Sequence, residues 1–117
     1  MSSLFYISVA VWEDEGSGGK LYLGGYKAAV NIKWLRQAGI GLIVNTARGL
    51  DQVLGPKYLQ NIQRRQTECQ DIKIKDYLLT DDLKQKLEVE DLIDVALHIS
   101  TYLNSGISVL VHCAQVK

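Results

Sequence analysis

The spacing of apolar residues along the first part of the chain predicts two strands. Leu4–Trp12 is rich in β-branched and aromatic residues, and the glycine-rich segment Gly16–Gly19 separates it from the apolar run Leu21–Gly24. Short apolar runs that are divided by a glycine-rich segment are typical of neighbouring strands joined by a turn.

A short helix is predicted directly after these strands. Ala28, Ile32 and Leu35 fall on one helical face, which is the pattern of a helix that packs against a core. Asn31 is able to cap the start of this helix, and Gly39 stands where we expect it to end.

The next three segments predict a buried strand, a helix and a further strand. Gly41–Ala47 is a short apolar run, as in a strand that is covered on both faces. Gly55–Glu68 is polar with few helix breakers, and Pro56 suits the first turn of a helix. Ile72–Leu79 begins by alternating apolar and polar residues, which favours an edge or half-buried strand, and the polar turn Thr80–Asp82 follows it.

The clearest helical pattern lies at Val89–Leu103. Its apolar positions at helical spacing are Leu92, Ala96, Ile99 and Leu103, and Ile93, Val95 and Tyr102 widen this apolar stripe. Ile107–His112 then forms a continuous apolar run, the pattern of a central strand in a covered sheet. Because a helix precedes a buried strand twice, the chain is predicted to have an α/β fold.

Composition and charge restrict the class of protein. Hydrophobic residues make up 47% of the chain and charged residues 22%, the proportions of a soluble globular protein that folds. At 117 residues, we expect one domain over residues 1–117. Thirteen basic residues balance thirteen acidic ones, so no net field attracts nucleic acid or an anionic membrane. Because neither a membrane-spanning run nor an export signal is visible, we expect a cytoplasmic location.

The strongest chemical feature is a cysteine at the end of the last predicted strand. Cys113 directly follows His112, and ligands of open α/β sheets bind at the carboxyl ends of strands. Main-chain N–H groups in a following loop would lower the pKa of such a thiol and produce a nucleophile. Burial statistics alone favour the alternative, a small buried apolar residue. We expect Cys113 and Cys69 to be free thiols in a reducing compartment.

Three segments resemble protein tyrosine and dual-specificity phosphatases. Val109–Gln115, which reads VLVHCAQ, is similar to the start of that family's signature of His-Cys, five residues and Arg. Leu21–Ala29 and Ala38–Ala47 resemble the family's early strand, helix and strand, in the same order. The resemblance implies a central mixed, mainly parallel sheet flanked by helices. It also implies that the catalytic domain is incomplete, because the chain ends within the phosphate-binding loop and lacks the C-terminal helices.

The resemblance implies a phosphatase that acts on phosphotyrosine and on phosphoserine or phosphothreonine in proteins. Cys113 would form a phosphocysteine, and Asp81, 32 residues before it, would serve as acid and then as base, with Asp82 as the alternative. The phosphate would be bound by His112, Ala114, Gln115, Val116 and Lys117. No metal or other cofactor is implied, because main-chain amides and an arginine carry the charge. Without the cysteine, Thr80–Asp82 is interpreted as a solvated turn.

The chain departs from the family pattern at two places in this loop. The signature arginine is expected six positions after Cys113, whereas the chain ends four positions after it, at Lys117, and a lysine has no planar fork for phosphate. We therefore expect the chain as given to be inactive. Val116 replaces the usual glycine, and a β-branched side chain disfavours positive φ. This favours the alternative functions, a pseudophosphatase that binds phosphoproteins without turnover or a fragment without activity.

Three further features have less specific interpretations. Missing helices would uncover one face of the sheet, where exposed apolar surface would promote self-association. Lys57, Arg64 and Arg65 form either a basic patch for a phosphorylated substrate or a solvated helix face. His98 lacks zinc-ligand spacing to His112 and the two cysteines, and we expect it to be a partly exposed helix residue.

Overall fold

The structure is a computed structural model, and it describes residues 9–47, 50, 54–77 and 89–112. Two strands are followed by two short helices, and strands and helices then alternate along the described ranges. The strands are β1 (Val9–Glu13), β2 (Lys20–Gly24), β3 (Ile40–Asn45), β4 (Lys73–Asp76) and β5 (Ser108–His112). The helices are α1 (Tyr26–Ala29), α2 (Ile32–Gln37), α3 (Pro56–Glu68) and α4 (Val89–Asn104).

The five strands form one mixed sheet in the order β1-β2-β5-β3-β4. β1 is antiparallel to β2, whereas β2, β5, β3 and β4 run parallel to one another. The prediction of a mixed, mainly parallel sheet flanked by helices is therefore confirmed. β5 is the central strand, as its continuous apolar sequence predicted, and β4 is an edge strand. The predicted turn Thr80–Asp82 lies outside the described residues.

Side chains of the central strands alternate between two apolar layers. On one face Ile43 and Leu110 pack with residues of α1 and α2, including Leu35. On the other face Val44 and Val109 pack under α4. Because helices cover both faces, the parallel strands are fixed with their carboxyl ends at one edge of the sheet.

The predicted cap at Asn31 and the predicted end before Gly39 are confirmed, but Ala28 does not belong to this helix. The side chain of Asn31 accepts a hydrogen bond of 3.1 Å from the main-chain N–H of Trp34, which caps α2. Gly39 follows the helix with a φ of +70°, a conformation that glycine adopts without steric cost. Ala28 belongs to the separate helix α1, because Asn31 has an extended backbone that divides the two helices.

The predicted helix near the end of the chain is confirmed as α4, and four residues of its predicted apolar stripe pack on the sheet. Ala96 is exposed, and the side chain of Leu92 lies outside the described part of the structure. The residues that pack on the sheet are Val95, Ile99, Tyr102 and Leu103. Lys75 on β4 donates a 3.0 Å hydrogen bond to Asp94 of α4, which lowers the pKa of this carboxyl. None of the helices in the described ranges has both the length and the apolar sequence of a bilayer span.

One part of the α4 side of the sheet remains exposed. Leu21 packs in the α4 layer, and Leu23, two positions later, points to the same side. Trp12 pairs with Leu21 and Val9 pairs with Leu23, so both also point to this side. Trp12 is 61% exposed. Val9 is 69% and Leu23 48% exposed, so the described part of the chain leaves these positions of β1 and β2 uncovered, and they are called the β1–β2 portion of this face.

The turn between β1 and β2 is bound to the end of α4. The hydroxyl of Ser17 donates to the main-chain oxygen of Leu103, and the N–H of Lys20 donates to the hydroxyl of Ser108 at 3.0 Å. A Cβ atom at Gly19 would lie 2.5 Å from the oxygen and 2.9 Å from the Cα of Leu103. These are main-chain atoms, so a side chain at Gly19 would force the turn away from α4.

Gly19→Ala is expected to destabilise the protein by roughly 1–3 kcal/mol, the usual cost of overpacking a close contact. The matched control is Gly16→Ala in the same turn, because the nearest atom to its Cβ would be a carboxylate oxygen of Asp14 at 3.8 Å. The control should change stability by less than about 0.5 kcal/mol. Urea unfolding measures both variants, and equal stabilities would contradict the close approach of this turn to α4.

Candidate functional site

The carboxyl ends of the four parallel strands place four residues in one row. In the sheet register, Gly24 of β2 is next to His112 of β5, His112 is next to Asn45 of β3, and Asn45 is next to Asp76 of β4. This is the edge at which parallel sheets bind ligands. The row therefore defines the candidate site, with the end of β5 between two other strand ends.

His112 is the predicted site residue that the structure describes. It is 3% exposed, so its side chain lies beneath the edge of the sheet. The other predicted site residues lie outside the described part of the chain, and their roles stay predictions. They are Asp81, Asp82, Cys113, Ala114, Gln115, Val116 and Lys117.

Thr46 holds the main chain at the end of β5. Its N–H donates to the main-chain oxygen of His112 at 3.0 Å, and its hydroxyl donates to the same oxygen at 2.9 Å. A carbonyl oxygen has two lone pairs, so both are occupied by one residue. Thr46 was not among the predicted site residues, although a polar residue directly after a buried strand is a usable signal.

Asn45 ties the ends of β3 and β4 together. Its side-chain oxygen accepts from the N–H of Ala47 at 2.9 Å, and its side-chain N–H group donates to Asp76 at 3.2 Å. The main-chain oxygen of Asn45 accepts from the N–H of Tyr77 at 2.7 Å. Residues on both sides of Thr46 are therefore held by hydrogen bonds, which makes this part of the edge rigid.

A cleft of about 350 Å³ lies between α3 and this edge. Asn45, Asp76 and His112 line it from the strand ends, and Tyr58 and Arg65 line it from α3. Its walls combine apolar and polar side chains, as in sites that bind one side chain or small group.

Arg65 corrects the predicted basic patch. It is 6% exposed, and its Nη1 donates to the main-chain oxygen of Ala29 at 2.8 Å. Its Nε has no hydrogen-bond partner. Burial lowers the pKa of Arg65, while the nearby groups of Tyr58, Cys69 and Asp76 act in the opposite direction. Arg65 faces inward because it lies seven residues after Tyr58, which is two helical turns along the buried face of α3.

The neighbouring residues of the predicted patch are exposed. Arg64 pairs with Glu68 at 2.6 Å on the outer face of α3, and Lys57 is also exposed. These two residues agree with the solvated helix face, so the patch with Arg65 as a member was wrong.

The described ranges contain no group of three His, Cys, Asp or Glu side chains that is able to hold a metal ion. Cys69 is a buried free thiol in the layer beside α2. His98 lies on α4 with its side chain 49% exposed, 3.9 Å from Asp94, which confirms it as a partly exposed helix residue.

Asn45→Asp is expected to make stability depend on pH. The new carboxylate would lie beside Asp76, and repulsion between like charges raises the pKa of such a pair. The folded state then binds protons more tightly than the unfolded state, so the penalty is absent at low pH and appears as pH rises through the ordinary range of carboxyl groups. We expect a loss on the order of 1–2 kcal/mol at pH 7 relative to wild type, nearly absent at about pH 4.

The control for this variant is Asn45→Ala, which removes both side-chain hydrogen bonds without adding a charge. It should cost about 1–3 kcal/mol at both pH values. Urea unfolding at each pH gives the differences from wild type. A penalty for Asn45→Asp that is equal at the two pH values would show that its carboxylate does not face Asp76.

Comparison with known proteins gives structural matches only. No protein-family model and no curated protein sequence matches the chain. Human DUSP28 superposes with a TM-score of 0.60 at 22% identity, over 83% of this chain and 55% of that chain. A mouse putative dual specificity phosphatase complexed with zinc tungstate has a TM-score of 0.61 at 24% identity, over 83% of this chain and 52% of that chain.

A more distant match is the kinase associated phosphatase in which serine replaces the catalytic-site cysteine. Its TM-score is 0.58 at 17% identity, over 85% of this chain and 58% of that chain. The chain thus spans a little over half the length of the structures it matches. With the mixed sheet and the helices on both of its faces, these matches identify the fold of the chain as that of the dual-specificity phosphatases.

Proposed function

We propose that the chain is part of a protein phosphatase that hydrolyses phosphotyrosine and phosphoserine or phosphothreonine through a phosphocysteine. One observation carries this proposal. The central strand β5 ends at His112 in the middle of the carboxyl edge, and the next residue in the sequence is Cys113. A thiol that follows such a strand is suited to meet an anion held by main-chain N–H groups.

The proposed reaction has two steps. The thiolate of Cys113 attacks phosphorus, a sulfur–phosphorus bond forms, and the bond to the leaving oxygen breaks as Asp81 gives that oxygen its proton. Water then attacks the phosphocysteine, Asp81 takes a proton from the water, and inorganic phosphate leaves with return of the thiolate. Main-chain amides of Ala114, Gln115, Val116 and Lys117 would hold the phosphoryl oxygens in both steps.

The described surroundings support a small anionic group at this edge. The equal numbers of acidic and basic residues mean that recognition of phosphate depends on local groups. The cleft beside His112 offers room for a neighbouring side chain of the substrate. The rigid row of strand ends favours catalysis, because donors that are already in place need no rearrangement during the reaction.

The alternative function is a pseudophosphatase that binds a phosphorylated protein without hydrolysing it. Val116 favours this alternative, since it replaces the glycine that the family usually has in the loop. A loop distorted by this valine would weaken stabilisation of the transition state more than it weakens binding of the ground state.

Hydrolysis of p-nitrophenyl phosphate tests the proposal, on the 117-residue chain and on any longer product of the same gene. Cys113→Ser should reduce the turnover of an active product by about three orders of magnitude or more, because the nucleophile is lost. Cys69→Ala is the matched control and should retain turnover, because Cys69 lies in the core away from the edge. Tight binding of a phosphopeptide without turnover would support the pseudophosphatase, and turnover that survives Cys113→Ser would exclude the phosphocysteine.

We also propose that the chain associates with a second copy of itself through the uncovered β1–β2 portion of the α4 side. Trp12 and its exposed neighbours Val9 and Leu23 form a continuous apolar area there, and such areas on soluble proteins mark contact sites. The balance of charges means that two copies have no net repulsion.

Light scattering during size-exclusion chromatography tests this association. The wild-type chain should elute as a dimer or larger species, and Trp12→Glu should give a monomer because a buried carboxylate is costly. Leu59→Glu on α3 is the control, because Leu59 is also a large exposed apolar residue but lies on the opposite side of the sheet. A wild-type chain that stays monomeric at every concentration tested would contradict self-association.

A further inference from the structure

We infer that Thr46 is a positioning residue for the thiolate of Cys113, acting through the peptide unit that leaves β5. This inference rests on the proposed function. It is carried by the two hydrogen bonds that Thr46 donates to the main-chain oxygen of His112, at 3.0 Å from its N–H and at 2.9 Å from its hydroxyl.

The hydroxyl bond is additional to what the sheet requires. The N–H of Thr46 already donates a hydrogen bond to the oxygen of His112. This bond continues the parallel pairing of β3 with β5 by one step beyond Asn45. Sheet pairing therefore does not explain the second bond. The hydroxyl acts on the last carbonyl of β5, which belongs to the peptide bond between His112 and Cys113.

Two donors on one carbonyl have a physical consequence for that peptide bond. The peptide unit is planar, so fixing its oxygen toward β3 fixes the plane in which the chain leaves the strand. A fixed direction of exit from β5 would hold the Cys113 thiol in one position relative to the main-chain N–H groups that the proposed function requires, which favours the thiolate.

Thr46 is itself held in place by its neighbours. Asn45 bonds to Asp76 and to the N–H of Ala47, so the main chain is fixed before and after Thr46. A positioning residue must be more rigid than the group that it orients. The hydrogen bonds of Asn45 supply this rigidity, and the bond from the hydroxyl of Thr46 transmits it to β5.

The test compares Thr46→Val with Thr46→Ser. Valine has nearly the shape of threonine and keeps the N–H but has no hydroxyl, whereas serine keeps the hydroxyl. Both are made in a Cys69→Ala background, so that Cys113 is the only thiol of the chain. The readout is the rate of alkylation by iodoacetamide as a function of pH, which reports the pKa of the thiol. His112, Asp76 and Arg65, which line the adjoining cleft, are the same in all variants.

We expect the wild-type thiol to titrate below the ordinary cysteine pKa of about 8.5. Thr46→Val should shift the profile to higher pH and reduce the alkylation rate at pH 7 by about three- to tenfold, since one pKa unit is a tenfold change in thiolate. Thr46→Ser should restore the wild-type profile. Urea unfolding of the same variants separates this effect from a loss of stability, which would not by itself move the titration of the folded protein.

Every other outcome overturns the inference about Thr46, and one of them also overturns the proposed function. A wild-type thiol with an ordinary profile would exclude the proposed phosphatase chemistry, and the inference about Thr46 with it. A lowered wild-type pKa that Thr46→Val leaves unchanged would overturn the inference alone. Equal shifts in Thr46→Val and Thr46→Ser would also overturn it, because the hydroxyl would not be the cause. Thr46→Ala serves as a second hydroxyl-free variant if Thr46→Val does not fold.

Discussion

The fold depends on the burial of β5 between two apolar layers. Val109 and Leu110 point to opposite layers and are both 0% exposed, so the strand is covered on each face. Its main chain must then be hydrogen-bonded on each edge, which parallel pairing with β2 and β3 provides. A shift of one residue would move every side chain to the wrong layer. The register of β5 is therefore fixed, and the position of His112 at the carboxyl edge follows from it.

The hydrogen bonds at this edge result from the same burial. Where a buried strand ends, its last main-chain groups still need partners, and Thr46 and Asn45 provide them with both side chain and main chain. Polar side chains that satisfy a strand end also restrict its motion. The carboxyl edge of the sheet is consequently ordered by the needs of the fold itself.

Much of this arrangement was predictable because its signals are local. The apolar runs of β3 and β5, the cap at Asn31 and the glycine after α2 are each contained in a few adjacent residues, and all were confirmed. The bonds at the edge were not predictable in this way. The hydroxyl of Thr46 meets an oxygen 66 residues further along the chain, and that contact exists only once the strand order is known. The contact between Lys75 of β4 and Asp94 of α4 is non-local in the same way, because 19 residues separate the two.

Arg65 shows how a wrong prediction changes the chemistry that is proposed. Arginines on polar helices are mostly exposed, yet Arg65 is buried because its Nη1 bonds to the oxygen of Ala29, 36 residues away. Through this bond, Nη1 of Arg65 joins α3 to α1. Arg65 still lines the cleft, and its Nε has no hydrogen-bond partner. Asp76 balances part of its charge, so Arg65 is a buried link between elements and not a member of an exposed basic patch.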